Sequence, residues 1–234
     1  MLAPKGAYPG FPGTVNSHLS NPMVELPVSP ESLFDADAII VTHLHPDHWD
    51  EFAVNSLPKD KPVFAQNQED AEAITAAGFQ DVRVSSDDTS FENVKFQKTY
   101  CQHGSNQAYS IPEVAAVLEK ASGLFFKQEG EKSVYFVGDT IWIDEVGSNL
   151  KELKPDVVVL NAGLATLEGL GPIIMGKEDV TRVNEILPDA TIITIHMETV
   201  NHCVLSRKEL QEYVNEKGIA GKVVVPADGQ TIEL

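Results

Sequence analysis

A mixed α/β domain is the architecture this sequence predicts, and three observations predict it. Short apolar runs of strand length recur along the chain, amphipathic stretches of helix length lie between many of them, and glycine or proline closes most of those stretches. The 234 residues suffice for one sizeable core, and no linker or low-complexity break divides them. A single domain over residues 1–234 is therefore expected.

Residues 1–35 carry Pro4, Pro9, Pro12, Pro22, Pro27 and Pro30 among several glycines, which predicts an irregular wrapping loop, since proline fixes φ and withholds a backbone donor. Beyond it, apolar runs predict strands at 38–42, 62–65, 94–99, 123–127, 133–137, 156–160, 191–195 and 222–225. Helices are predicted over 68–77, stopped by Gly78, over 143–153, over 178–187, stopped by Pro188, and over 207–217, stopped by Gly218. Ser206 with Glu209 three residues on is a capping-box pattern, so the last helix has a start as well as a stop. Residues 128–132 around Gly130 predict a hairpin turn, and the polar stretch 85–90 predicts a loop.

Composition narrows the partners. A formal net charge of −18 with no local basic patch disfavours nucleic acid and anionic membrane surfaces, both of which would be repelled. The opening MLAPKGAYPGFPG lacks an apolar core segment, and no apolar run approaches the length that spans a bilayer. The two cysteines, Cys101 and Cys203, fit free thiols in a reducing compartment, so a cytoplasmic protein is expected.

The stretch VTHLHPDHWD, residues 41–50, places three of the chain's seven histidines and an aspartate at the end of a predicted strand. His43 and His45 are two apart, so in extended backbone they point the same way and can chelate one metal ion. Asp47 and His48 follow on a turn that Pro46 helps to set, within reach of a second ion. Two ions need further ligands, and His103, Asp139 and His196 each follow directly on another predicted strand, the recurring place for sites in α/β architectures. A lone histidine or aspartate at such a position more often caps a turn or edges the core; seven donors placed alike favour a metal site.

These residues resemble the metallo-β-lactamase superfamily, whose loop motif H-x-H-x-D-H is matched by His43, His45, Asp47 and His48 and continued by His103, the Asp139 of GDT and His196. The resemblance implies a four-layer αββα sandwich with a dinuclear site: His43, His45 and His103 on the first metal, Asp47, His48 and His196 on the second, and Asp139 bridging both. PKGAYPGFPG, NAG at 161–163, IMGKEDV at 174–180 and HMETVNHC at 196–203 look most like the bacterial cytosolic branch that includes L-ascorbate-6-phosphate lactonase. Members usually open with β-strands ahead of the proline-rich loop. Here that loop begins near Met1, so a sandwich without its first strands is expected, and a symmetric homo-oligomer covering the exposed edge is compatible with it.

The function expected is hydrolysis of a small ester, lactone or phosphodiester by metal-activated hydroxide, on two divalent ions, zinc first and manganese or iron as alternatives. Asp47 is the candidate to orient the hydroxide and His202 to handle a leaving-group proton, while Arg207 and Lys177 are candidates to meet an anionic substrate. Thr42 and Thr140 are candidates to support the ligands, and Tyr8, Phe11 and Trp49 to line a pocket mouth. Two other readings compete: a di-iron oxidoreductase of the same fold, and a metal-bearing binding protein without catalysis.

Overall fold

Strand β1 (Ile39–Val41) runs parallel to β2 (Pro62–Ala65), and β2 runs parallel to β3 (Asp81–Val84), forming a three-stranded sheet with β1 at its edge. The computed structural model describes all 234 residues. Along the chain follow β4 (Thr89–Phe91), β5 (Val94–Tyr100), β6 (Ser122–Lys127), β7 (Val134–Phe136) and β8 (Val157–Asn161), then a short antiparallel pair, β9 (Thr166–Leu167) and β10 (Gly171–Pro172), and finally β11 (Thr191–Ile195) and β12 (Val223–Val224). Seven of these form one mixed sheet in the order β12-β11-β8-β7-β6-β5-β4. Its β7, β8, β11 and β12 are mutually parallel, and β4, β5, β6 and β7 are antiparallel neighbours.

Each sheet carries helices on its outer face. Helices α2 (Glu51–Ser56) and α3 (Gln68–Ala76) pack on the small sheet, where Ala53 and Ile74 meet Val41, Val63 and Ala65. Helices α6 (Asp144–Leu153), α7 (Lys177–Ile186) and α8 (Arg207–Glu216) cover the large sheet, with Leu150, Val183 and Leu210 against Tyr135, Val158 and Ile192. Between the sheets Phe64, Phe96 and Leu124 pack together, the two phenylalanine rings edge to face at 5.1 Å with an interplanar angle of 86°. Helix, sheet, sheet and helix make the four-layer sandwich. In β8 all five residues are buried, so both faces of the strand meet apolar neighbours and its run Val157-Val158-Val159-Leu160 shows no alternation.

Every predicted strand and helix lies on an observed one. The hairpin turn is present with Gly130 at φ 83°, and the box on α8 is made, Ser206 accepting from Glu209 N while Glu209 accepts from Ser206 N. Three expectations change. Residues 1–35 are irregular except for one helical turn, α1 (Pro30–Leu33), which proline starts. The loop expected over 85–90 ends early, because Thr89 and Ser90 pair with Phe96 and Lys95. The short helices α2, α4 (Asn106–Tyr109) and α5 (Pro112–Leu118) fall below the length at which a period shows; caps start two of them, Asp50 accepting from Ala53 N and Ser105 from Ala108 N. No helix is long and apolar enough to cross a membrane.

The proline-rich segment lies across the 199–203 turn. Tyr8 and Asn21 bridge each other, Met23 N bonds Thr199 O, and Thr14 bridges Leu167 of β9.

Candidate metal centre

The ends of β1, β5, β7 and β11 converge on one rim of the sandwich. His43, His45, Asp47 and His48 follow β1, His103 follows β5, Asp139 follows β7 and His196 follows β11. The backbone bends sharply to deliver them. Gly138 turns the chain at φ 80°, and a Cβ there would lie 2.6 Å from Ser122 O. His196 itself sits at φ 66°, the left-handed region that non-glycine residues adopt at a cost, and its carbonyl crosses so close to Gly163 that a Cβ there would lie 1.8 Å away.

All seven sequence-predicted ligands are brought together. The donors fall into two groups, His43 with His45 and His103, and Asp47 with His48, Asp139 and His196, each with ligand atoms within 4.8 Å of one another. Asp139 lies between them. Its Oδ2 is 3.0 Å from His48 Nε2, 3.7 Å from those of His43 and His196, and 3.8 Å from that of His103. Asp47 Oδ2 is 3.5 Å from His196 Nε2 and 3.8 Å from His48 Nε2.

The outer nitrogens of the rings decide which inner ones carry lone pairs. His103 Nδ1 is 2.9 Å from the Ile173 carbonyl, which can only accept, so the proton sits on Nδ1 and Nε2 faces Asp139 unprotonated. His45 Nε2 is 2.7 Å from the Val117 carbonyl, so its lone pair is on Nδ1. Thr42 Oγ1 lies 3.1 Å from His43 Nδ1, and Cys203 Sγ lies 3.3 Å from His196 Nδ1. Asn161, at the end of β8, donates to Asp139 Oδ1. Such outer partners are what orient metal-ligating imidazoles and carboxylates. His43 Nε2 is buried without any hydrogen-bond partner, and imidazole lone pairs and carboxylate oxygens crowd around it. This donor set, nitrogen and oxygen with fixed tautomers, fits divalent transition metals.

The electrostatics match. Burial, with His48 close by, holds the His43 imidazole well below its usual range, and burial lowers His103 to about 4. Burial also opposes charge on His196, but Asp139 and the Cys203 and Asp47 contacts outweigh it and raise that ring well above its ordinary value. Burial pushes Asp47 and Asp139 up as well, and there the surrounding histidines win, holding both carboxyls well below the carboxylate range.

A pocket of about 250 Å³ opens on this cluster. His45, Asp47, His103 and His202 form its polar floor, and Phe11, Val117, Leu118, Leu167 and Ile173 its apolar walls. No lysine or arginine lines it. A larger cavity of about 460 Å³ lies around Tyr100 and Tyr109, but none of the seven candidate ligands borders it, so the smaller one is the place for chemistry.

Other candidates lie elsewhere. Arg207 is held by Glu198 and Asp228 and donates to Pro226 O, and Lys177 stands over the Tyr213 ring at 5.4 Å; neither lines the pocket. Trp49 packs at a tilt of 47° on Phe79 in the small-sheet core, ring centroids 5.4 Å apart, and the Tyr8 hydroxyl accepts from Phe52 N, which leaves Phe11 as the aromatic that reaches the pocket. Thr140 serves local backbone, accepting from Gln102 N and donating to Ile141 O. Sequence reasoning missed Asn161, Asn201 and the Val117 carbonyl. Asn161 had a visible signal, since it ends a strand as Asp139 and His196 nearly do; a backbone carbonyl has none.

The sandwich and its cluster of histidines and aspartates define the class: a metal-dependent hydrolase of the metallo-β-lactamase fold. A family model described as a beta-lactamase superfamily domain matches residues 8–197, and the chain belongs to that family. It is 43% identical over 232 residues to the UPF0173 protein YddR of Bacillus subtilis, across 99% of this chain and 89% of that one. The crystal structure of an isothiocyanate hydrolase from Delia radicum gut bacteria is similar at a TM-score of 0.97 with 46% identity, covering 100% of this chain and 90% of that one. So is that of a "possible metal-dependent hydrolase" from Veillonella parvula, at a TM-score of 0.97 with 42% identity and the same coverage of 100% and 90%.

Proposed function

We propose that this protein hydrolyses small uncharged electrophiles bearing an apolar substituent, isothiocyanates foremost. The observation that carries this reading is the pocket: apolar walls and no cation beside a cluster of metal donors. A phosphodiester or a phosphorylated sugar would bring charge to mostly apolar walls that offer no lysine or arginine, which counts against the anionic members of the expected substrate range. An isothiocyanate is small, neutral and electrophilic at carbon, and the relative at 46% identity bears that activity in its name.

In this reading His43, His45 and His103 would hold one ion and Asp47, His48 and His196 the other, with Asp139, within 3.8 Å of ligand nitrogens from both groups, available to either. Zinc is the first expectation, manganese or iron the alternatives. When bound, two divalent ions supply Lewis acidity and hydroxide near neutral pH. The chain's own residues do the rest. Asp47, held ionised, accepts a hydrogen bond from the attacking hydroxide and aims it at the pocket. His202 is lowered to about 4 by burial, so it is neutral at pH 7 and donates from an uncharged ring to the nitrogen where negative charge develops. The apolar walls exclude water from the substituent. Water adds across the C=N bond, oxygen to the central carbon and a proton to nitrogen, to give the thiocarbamic acid; as the C–N bond then breaks, its electron pair stays on nitrogen, which takes the O–H proton, so R–NCS and water give the amine and carbonyl sulfide. Free Cys101 and Cys203 accord with a cytoplasmic location.

The test is turnover by metal-loaded protein, followed as loss of isothiocyanate absorbance and release of amine, beside lactone, ester and phosphodiester panels. Preference for isothiocyanates supports the reading. Turnover of phosphodiesters with none of isothiocyanates overturns it.

A further inference from the structure

The proline-rich segment meets the pocket through Phe11, Pro12 and Thr14, of which Phe11 is the aromatic one, and one buried side chain fixes where Phe11 stands. Asn201, 1% exposed, uses its full hydrogen-bonding capacity on that segment. Its Oδ1 accepts from Phe11 N at 3.1 Å and from Asn21 Nδ2 at 2.8 Å; its Nδ2 donates to Thr14 Oγ1 and to Val15 O, both at 2.8 Å. Its backbone joins in, Asn201 N donating to Asn21 Oδ1 at 2.8 Å. An asparagine alone supplies two acceptors and two donors at this spot; aspartate lacks the donors and leucine lacks both. The next residue, His202, lines the pocket, and the Phe11 ring stands edge to face against it at 5.1 Å. One turn of chain therefore carries both the group that faces the reacting atoms and the clamp that sets the opposite wall.

We infer that Phe11 determines which substituents the enzyme accepts, and that Asn201 is the positioning residue that holds it in place. This rests on the apolar-electrophile reading above. The substituent lies against Phe11, Leu167 and Ile173, and the wall favours aryl and longer alkyl groups over methyl by the apolar area they bury. Phe11 takes no part in bond making, so its contribution appears in selectivity.

The experiment compares phenethyl and methyl isothiocyanate on wild type, Phe11→Ala and Asn201→Asp, with metal content measured on each. The expected result is a fall of about tenfold in the phenethyl-to-methyl ratio of kcat/KM for Phe11→Ala, with a fall in the same direction for Asn201→Asp. A general loss of structure would lower both substrates together and leave the ratio in place. Binding of phenethyl alcohol, which is not turned over, is measured in parallel by ligand-observed NMR. If wild type turns over no isothiocyanate yet binds the alcohol, and Phe11→Ala weakens that binding, the proposed reaction falls and the wall stands. An unchanged selectivity ratio in Phe11→Ala, or equal binding of the alcohol by wild type and variant, overturns the wall. Should Asn201→Asp fail to fold, Asn21→Ala removes one partner of the clamp that does not line the pocket and is expected to shift the ratio less, in the same direction.

Discussion

His48 Nε2 and His196 Nε2 lie 3.1 Å apart, at 3.0 and 3.7 Å from the same oxygen of Asp139. Two imidazole nitrogens approach that closely only around a shared proton or a shared cation. Asp139 and Asp47 hold His196 protonated above its ordinary range despite burial, so the proton occupies the place a metal would take. Metal loading at pH 7 should therefore release about one proton per chain from this pair. Calorimetric titration of chelated protein with zinc in buffers of different ionisation enthalpy reads the number directly; an enthalpy independent of buffer would contradict the arrangement.

Asp139 belongs to the second donor group, its Oδ2 also lies 3.7 and 3.8 Å from the His43 and His103 Nε2 atoms of the first, and Asn161 donates to its other oxygen. Replacing Asp139 by Ala should lower metal content and abolish turnover, since it removes the one charge that both ions would share. Asn161→Ala should keep the ligands and weaken metal affinity by roughly 10–100-fold. Competition with a chromophoric chelator separates the two, and wild-type affinity in both variants would remove Asp139 from the centre.

His202 predicts a different pattern. It lines the pocket and belongs to neither donor group, and its Nδ1 is buried without a partner. His202→Ala should retain wild-type metal content while kcat falls by about 10²-fold or more. Elemental analysis beside steady-state kinetics checks both halves; loss of metal would instead make His202 part of the ligand frame.

Strand runs and candidate ligand positions were legible because both are written in single residues: an apolar run marks a buried strand, and a histidine or aspartate just past it marks a donor that the fold can bring to the cluster. What escaped is relational. β3 (DVRV) has polar residues at two of four positions and becomes a strand by pairing with β2. The pocket combines Phe11 from the first loop, Val117 from α5 and Leu167 from β9, residues far apart in the chain, and the Asn201 side chain holds the first of them through the Phe11 and Val15 backbone. Arg207 shows the reverse: a cation near the motif in sequence is neutralised by Glu198 and by Asp228, 21 residues further on.

The titration of the metal-free protein should be one-sided. His103 and His202 are lowered to about 4, and His43 well below its usual range, chiefly by burial. Below about pH 6.5 the unfolded chain takes up protons at these rings before the native protein does, so stability is lost as pH falls from 6.5 towards 4 and is full above that window. His196 acts oppositely, since its raised value makes its contribution complete below 6.5 and lost only as pH rises through that value. It therefore does not offset the loss. Urea unfolding in chelator should show less stability at pH 4.5 than at pH 6.5, by on the order of 2 kcal/mol for each shielded ring; equal stability at the two would mean that these rings are not shielded.

Gly163 carries no functional group, yet it should be among the least replaceable residues of the site. A Cβ there would stand 1.8 Å from the His196 carbonyl oxygen and 2.9 Å from Cys203 Sγ, the atom that faces His196 Nδ1. The carbonyl belongs to a residue already at φ 66°, so the backbone cannot withdraw without turning the imidazole away from Asp47 and Asp139. Gly163→Ala should cost about 1–3 kcal/mol of stability and weaken metal binding, whereas the same change at Gly221, with open space around it, should do neither. Thermal unfolding of the two variants with and without zinc gives the comparison. A Gly163→Ala protein whose zinc-dependent rise in Tm equals that of wild type would show that the β11 end tolerates displacement and that His196 is not held in place by this contact.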